Sequence, residues 1–170
     1  MHILIVTGAS GAGKTTVVQA LERRELPGVR CFYFDSIGVP TADEMERAFG
    51  RGESWQAWAT DEWLQWLHGL GGDTRIAVLD AQTRPSHVLG PRAKGGARTI
   101  HVVLLECSRE VREARLRGPR GQPELANPRM DSWAAYLRGQ ADALDLPIID
   151  TTLLSVDEVA EQLEHIVRAL

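Results

Sequence analysis

A short glycine-rich segment near the start of the chain has the residues needed to hold a phosphate group. It reads GASGAGKTT over residues 8 to 16 and fits the spacing G-x-x-x-x-G-K-[ST]. Glycines let the backbone turn so tightly that several N–H groups point at one anion, and a following helix adds its positive end. Lys14 supplies a charge for the outer phosphates, and Thr15 supplies an oxygen ligand for Mg²⁺. The predicted phosphate-binding residues are Gly8, Ala9, Ser10, Gly11, Ala12, Gly13, Lys14, Thr15 and Thr16.

Two aspartates stand where apolar runs end. Asp80 closes the run IAVLD, and Asp35 follows the run ending in FYF. A carboxylate beside a phosphate loop can orient Mg²⁺, usually through water, and one within reach of an alcohol can accept its proton. We therefore expect Asp80 to help hold the metal and Asp35 to be catalytic. A loop cap at Asp80 and a helix N-cap or turn at Asp35 are the structural alternatives.

A sheet has to bring these residues together. Segments of helical periodicity separate five apolar runs that are bounded by turn signals, at residues 3–7, 29–35, 75–80, 99–107 and 146–150. This alternation predicts an α/β fold with a five-stranded parallel sheet and helices on both faces. Ligands bind such sheets at the carboxyl ends of the strands, where the glycine-rich segment and both aspartates lie.

Length and composition limit the classes of protein to consider. The 170 residues suit one domain, and a net charge of −4 argues against binding of nucleic acid by the general surface. Cys31 and Cys107 both lie in apolar runs, which indicates buried thiols in a reducing compartment. The sequence shows no leader-like start and no apolar run long enough to span a membrane. We expect a cytoplasmic protein with no membrane partner.

The strand, phosphate loop and helix at the start of the chain resemble the P-loop nucleoside-triphosphate fold. More narrowly, the chain resembles the small kinases of that fold, namely adenylate, shikimate and gluconate kinases and chloramphenicol phosphotransferase. The order of elements matches over nearly the whole chain, with specific motifs at residues 8–16, 33–36, 78–84 and 112–120. The resemblance implies a single three-layer kinase domain over residues 1 to 170 that uses ATP and Mg²⁺. It also implies an acceptor-covering insertion at about residues 36–72 and an arginine-rich lid at about residues 117–130.

Arginines crowd the segment REVREARLRGPRG, which leads into the predicted lid. In the small kinases, one arginine at the end of this helix stacks on adenine and a later one reaches the transferred phosphate. The resemblance therefore implies that Arg115 contacts the base and Arg120 the phosphate, with Arg117 as a close competitor. The alternative is a solvated helix face on which these arginines pair with Glu110 and Glu113.

The predicted insertion contains SWQAWATDEWLQWL at residues 54 to 67. On a helix, its tryptophans fall within an arc of roughly 140°. Glu62 lies within that arc, and a carboxylate among indoles is unfavourable without a partner. We hypothesise that Trp55, Trp58 and Glu62 line the acceptor pocket, with packing against the domain as the alternative. The four tryptophans, out of five in the chain, are Trp55, Trp58, Trp63 and Trp66.

Two further residues follow Asp80 closely. Related kinases use an arginine at about this point to hold a polar or anionic acceptor group, which implies substrate contact by Arg84. A structural role before Pro85 is the alternative. His87 has no evident partner in the sequence, and we interpret it as a surface or helix residue.

These features predict an ATP-dependent kinase that phosphorylates a hydroxyl of a small molecule, with an antibiotic or another natural product among the candidates. A nucleoside monophosphate kinase stays open, because Arg47, Arg51 and Arg84 are available to clamp an acceptor phosphate. A P-loop NTPase without an acceptor also stays open. The only asparagine is Asn127, which excludes the N-K-x-D motif of GTPases. A monomer and a homodimer are both compatible with the sequence.

Overall fold

In the computed structural model of the chain, which describes residues 1–50, 52–89 and 100–170, five strands form one sheet. Their order is β2-β3-β1-β4-β5, and every pairing is parallel. The predicted five-stranded parallel sheet is therefore confirmed. The strands are β1 His2–Thr7, β2 Val29–Tyr33, β3 Ile76–Asp80, β4 Ile100–Glu106 and β5 Ile148–Asp150.

The strand register brings the predicted chemistry to one edge. Asp80 at the end of β3 pairs with Val6 in β1 and with Tyr33 in β2. The chain leaves β1 into the glycine-rich segment and leaves β2 into a short 3₁₀ turn, Phe34–Ile37, that contains Asp35. The two predicted functional segments and Asp80 thus emerge together at the carboxyl edge, as the sequence pattern requires.

Seven helices cover the two faces of the sheet in the described part of the chain. On one face, α1 and α7 pack on a cluster that includes Leu4, Val6 and Leu105, and on the other face α3 packs on Ile3 and Ile5. None of these helices is long and apolar enough to cross a membrane. The helices are α1 Lys14–Glu22, α2 Ala42–Phe49, α3 Gly52–His68, α4 Pro85–Leu89, α5 Arg109–Arg117, α6 Pro128–Ala143 and α7 Val156–Arg168.

The helix α3 does not present its tryptophans as one functional face. Trp55 and Trp63 are buried, at 7% and 8% exposure, whereas Trp58 and Trp66 are 43% and 50% exposed. Trp55 contacts Phe34 edge-on, with ring centroids 5.9 Å apart. The buried stripe continues through small residues of the same helix, so its centre is displaced from the centre of the tryptophan arc. The arc therefore crosses the boundary between core and solvent.

Residues 117 to 130, predicted to be the lid, include the end of one helix and the start of another. The helix α5 ends at Arg117, a 3₁₀ turn covers Pro123–Leu125, and α6 begins at Pro128. The Asn127 side chain caps α6 by accepting a hydrogen bond of 3.1 Å from the backbone N–H of Met130. An asparagine N-cap followed by proline is a strong helix start, and it ends the loop before residue 128.

Candidate active site

The glycine-rich segment joins β1 to α1 with a backbone that requires glycine at two points. A Cβ atom on Gly8 would lie 2.4 Å from the carbonyl oxygen of Leu105 in β4. Gly13 is the N-cap of α1 and has a φ of 97°, a left-handed conformation that glycine adopts without strain. The N-terminus of α1 therefore begins directly at this tight turn. Such a loop and helix end have the geometry of an anion-binding site.

Thr15 and Asp80 meet across the phosphate loop. The Thr15 hydroxyl donates a hydrogen bond of 2.5 Å to Oδ2 of Asp80, although the two residues are 65 positions apart. A hydroxyl and a carboxylate are the hard oxygen ligands that Mg²⁺ prefers. The structure thus brings together the two residues predicted to organise the metal.

Lys14 and Asp80 form a buried pair of opposite charges at the same point. Burial lowers the pKa of Lys14, and the Asp80 carboxylate opposes that change. Burial raises the pKa of Asp80, while Lys14 and the hydrogen bond from Thr15 oppose the rise. Each group therefore stabilises the charged form of the other, and both side chains are buried.

Asp35 stands on the exposed side of this charged centre. Burial has the largest effect on the pKa of Lys14, and the charges of Asp80 and Arg120 come next. The Asp35 carboxylate follows them and raises this pKa, which favours the charged form. It also contributes to the raised pKa of Asp80, after burial and the effects of Lys14 and Thr15. Asp35 is thus within electrostatic range of both Lys14 and Asp80, and its side chain is exposed.

The arginines at the end of α5 take different positions around the phosphate loop. Arg115 donates hydrogen bonds from Nη1 to the Thr151 hydroxyl at 2.9 Å and from Nη2 to the Thr151 carbonyl at 2.8 Å. Its Nη1 atom also lies 3.4 Å from the carbonyl oxygen of Gly11. Burial and the charge of Asp80 have the largest effects on the pKa of Lys14. The charge of Arg120 comes next and lowers this pKa. Arg117 is exposed in the last turn of α5.

Glutamate pairing on α5 involves other arginines. Glu113 accepts a hydrogen bond of 2.8 Å from Nε of Arg109, and the buried Arg112 forms an ion pair with Asp131 of α6. A self-paired helix face therefore does not account for Arg115, which contacts the glycine-rich loop at Gly11. Arg120 is exposed, donates a hydrogen bond to Gln122 and is within electrostatic range of Lys14.

Arg84 lies in a polar and aromatic environment beside this centre. Its Nη1 donates to Oε1 of Gln56 at 2.9 Å, and its Nη2 donates to Oε1 of Glu53 at 2.8 Å. Its guanidinium carbon lies 4.8 Å from the ring centroid of Trp133 and 5.9 Å from that of Tyr136. Arg84 thus links two helices: the edge of its guanidinium group bonds to side chains of α3, and the face of the group packs on rings of α6.

Arg84 forms part of the wall of a cleft of about 750 Å³. The cleft adjoins the phosphate loop, because Gln82 in its lining accepts a hydrogen bond of 3.2 Å from the Ser10 hydroxyl. Its size is that of a site for a drug-sized ligand. The lining residues are Glu53, Gln82, Arg84, Leu125, Asn127, Arg129, Met130, Ser132, Trp133 and Tyr136.

The three other residues predicted to line the acceptor pocket lie elsewhere. Trp55 belongs to the core, while Trp58 and Glu62 are exposed on α3, and none of the three lines this cleft. Trp58 packs against Phe49 of α2, with ring centroids 5.4 Å apart. The hypothesis of a pocket formed by Trp55, Trp58 and Glu62 does not match this geometry, since a helix cannot turn its core-facing and solvent-facing sides to one ligand.

Other basic and titratable residues lie away from the cleft wall or outside the described chain. His87 is a helix residue, as expected, and its Nε2 in α4 lies 2.9 Å from Oδ1 of Asp61. Arg47 is exposed on α2, where its Nε donates to the backbone carbonyl of Asp43 at 3.2 Å, and it is outside the cleft lining. Arg51 lies outside the residues that the structure describes.

The sequence pattern missed the aromatic wall of the cleft. The rings of Trp133 and Tyr136 are stacked on α6, with centroids 5.5 Å apart and planes at 20°. Trp133 is the fifth tryptophan of the chain, and it stands apart from the other four. The Asn-Pro helix start at residues 127 and 128 could have revealed α6 and placed these aromatics next to the lid.

No protein-family model matches the chain, and no curated protein matches it. Solved structures do match over nearly its full length. The tunicamycin resistance protein of Deinococcus radiodurans has a TM-score of 0.66 at 23% identity, covering 97% of this chain and 94% of that chain. A deoxyadenosine kinase from M. mycoides with bound dATP has a TM-score of 0.65 at 14% identity, covering 99% and 100%. Shikimate kinase from Acinetobacter baumannii has a TM-score of 0.63 at 16% identity, covering 99% and 93%.

The chain has the P-loop kinase fold. The residues of the glycine-rich loop and Asp80 also fit the two groups that the fold implies. The N-terminus of α1 and Lys14 would hold the phosphates of ATP, while Thr15 and Asp80 would hold Mg²⁺. Arg115 is held beside the loop by Thr151 and Gly11, and its contact with adenine stays a prediction.

Proposed function

We propose that the protein is an ATP-dependent kinase that transfers the γ-phosphoryl group to a hydroxyl of a small molecule bound in the cleft. The observation that carries this proposal is the convergence of Asp35, Lys14 and Asp80 at one sheet edge, next to a large cleft. Lys14 holds the outer phosphates, and Asp80 with Thr15 holds the metal. Mg²⁺ supplies charge neutralisation at the phosphates when it is bound.

Asp35 is the residue that favours an alcohol as acceptor. Its carboxylate accepts the hydroxyl proton as the acceptor oxygen forms its bond to phosphorus and the bond to the ADP oxygen breaks. A positioned base of this kind typically contributes about 10²–10⁴-fold to the rate. Arg120 lies where its positive charge would stabilise the negative charge on the phosphoryl group during transfer.

A nucleoside monophosphate kinase is the second candidate. Such an enzyme needs arginines that are free to clamp a phosphate. In the cleft, Arg84 is already paired with Glu53, and Arg47 lies outside the lining. Arg129 is the remaining described arginine of the lining, so this candidate has less support than an alcohol kinase.

A screen of ADP release tests the proposal. Wild-type protein with ATP and Mg²⁺ would be given nucleosides, nucleoside monophosphates, sugars and hydroxylated antibiotics, with an antibiotic or other natural product as the preferred candidate. We expect a hydroxylated compound to increase ADP release and to gain one phosphoryl group, measured by mass. A nucleoside monophosphate as the best acceptor would favour the second candidate. ATP hydrolysis that no acceptor changes would indicate an NTPase.

A further inference from the structure

Glu53 occupies the side of Arg84 that faces the acceptor cleft. It lies in the first turn of α3, and its Oε1 accepts a hydrogen bond of 2.8 Å from Nη2 of Arg84. Both residues line the cleft. Oε1 of Gln56 accepts a hydrogen bond of 2.9 Å from the other terminal nitrogen of the guanidinium group, Nη1. Both terminal nitrogens of Arg84 are therefore already engaged by the protein.

This arrangement changes what Arg84 can offer to a ligand. An arginine binds a carboxylate or a phosphate best through two parallel N–H bonds from the edge of its guanidinium group. In this cleft, a carboxylate of the protein and an amide oxygen accept those bonds. An anionic acceptor would have to displace Glu53 and then lie beside its negative charge, which costs binding free energy.

The face of Arg84 contributes to a flat wall. Its guanidinium carbon lies 4.8 Å from the centroid of Trp133, whose ring stacks with that of Tyr136. The Tyr136 hydroxyl accepts a hydrogen bond of 2.8 Å from Gln140, which also accepts one of 3.0 Å from the backbone N–H of Ser86. These bonds tie α6 to α4 and hold the wall in place before a ligand arrives. A rigid aromatic wall favours a flat ring as its partner.

The rest of the lining adds apolar surface and neutral polar groups. Met130 and Leu125 supply the apolar contacts, while Asn127 and Ser132 supply hydrogen-bonding groups. Arg129 also lines the cleft and is exposed to solvent. Glu53 is exposed as well, at 64% of its side chain, whereas Arg84 is 23% exposed. The charges next to the aromatic wall are therefore those of the Arg84–Glu53 pair.

We infer that Glu53 determines the acceptor specificity of this kinase: it blocks the anion-binding edge of Arg84, so the cleft selects uncharged hydroxylated molecules with a flat ring over carboxylates and phosphates. This inference rests on the proposed function, because it assigns the cleft to the acceptor. If Glu53 only joined α3 to Arg84, its replacement would affect stability without changing the preference for charge.

A matched pair of probes tests the inference by binding alone. The uncharged para-hydroxymethylbenzamide and the anionic para-hydroxymethylbenzoate share the ring and the hydroxyl and differ in charge. Their dissociation constants would be measured by ligand-observed NMR titration. We expect the wild-type protein to bind the amide more tightly by about tenfold or more, and Glu53→Gln to reduce that ratio to near one. Glu161→Gln, on the exposed side of α7 across the sheet, is the charge-matched control and should keep the wild-type ratio.

Each contrary outcome overturns the inference. These are an equal ratio in wild type and Glu53→Gln, a wild-type preference for the benzoate, and no binding of either probe to the wild type. The wild-type ratio stands as a test even if the variant is unstable. Titration with a fluorescent ATP analogue is run in parallel, since loss of nucleotide binding would contradict the proposed function while leaving the probe ratio measurable.

Discussion

The hydroxyl of Thr15 lies 2.5 Å from Oδ2 of Asp80 and donates a hydrogen bond to it. Thr15 lies in the first turn of α1 and Asp80 ends β3, and the parallel register of the sheet brings them together. This contact joins the glycine-rich loop to the carboxylate predicted to help hold the metal. It therefore provides the first prediction about the chemistry of the site.

Replacing Asp80 by Asn should weaken the Mg²⁺ dependence of nucleotide binding. The amide keeps the size of the side chain but removes the negative charge that would hold the metal and its water ligands. We expect a loss of about 10–100-fold in apparent Mg²⁺ affinity. Titration of Mg²⁺ at fixed fluorescent ATP analogue measures this loss. Asp73→Asn, at an exposed position before β3, is the control and should match the wild type. An unchanged Mg²⁺ titration for Asp80→Asn would remove Asp80 from the metal site.

Nucleotide affinity should fall at alkaline pH because of Lys14. Burial holds its pKa below the usual value of a lysine, whereas bound phosphates would raise it. Above the lowered pKa of the free protein, binding must therefore take up a proton. Affinity should be level at lower pH and then fall by about tenfold per pH unit. Titrations of a fluorescent ATP analogue across pH measure the profile.

Lys14→Arg provides the control for that profile. Arginine stays charged throughout the range, so its binding, although weaker, should show no alkaline fall. A fall of the same size in this variant would assign the pH dependence to another group.

The arginines of the lid should differ in their effect on turnover. Both Arg117 and Arg120 are exposed, but it is Arg120 whose charge is among the main influences on the pKa values of Lys14 and Asp80. Arg120→Ala should lower kcat by about 10²-fold, a loss typical of one donor to a developing charge. Arg117→Ala should lower it far less. Steady-state kinetics with the best acceptor from the screen compare the two, and the reverse order would assign the phosphate contact to Arg117.

Replacing a buried and an exposed tryptophan of α3 should lower the stability by different amounts. Trp55 is buried against Phe34, so Trp55→Ala should lower the free energy of unfolding by about 3–5 kcal/mol. Trp58 is 43% exposed, and Trp58→Ala should cost much less. Urea unfolding followed by circular dichroism gives both values. Similar losses for the two variants would mean that the burial pattern of α3 is wrong.

These tryptophans also show what a sequence pattern does not predict. Periodicity predicts an arc on a helix, but burial depends on where the sheet lies relative to that arc. The small residues Ala59 and Thr60 mark the true centre of the buried stripe, because large side chains do not fit there against the sheet. An arc defined by tryptophan alone therefore mixed core residues with surface residues.

The glycine-rich loop and its contact with Asp80 were more predictable than the cleft beside Arg84, for a physical reason. The loop from Gly8 to Thr16 is built from adjacent residues with fixed backbone requirements, and Asp80 is placed by strand register. The cleft instead combines Glu53 with Arg84, 31 positions later, and with Trp133 of another helix. Such contacts depend on how α3 and α6 pack on the sheet, which local patterns do not encode.

Asp35→Asn tests the central claim most directly. The asparagine keeps the shape of the side chain but does not accept the acceptor proton. With the best alcohol acceptor, a single-turnover measurement should show a rate lower by about 10²–10⁴-fold, while the affinity for a fluorescent ATP analogue stays within about twofold of wild type. A phosphoryl-transfer rate close to wild type in Asp35→Asn would contradict the assignment of this protein as an alcohol kinase with Asp35 as its base.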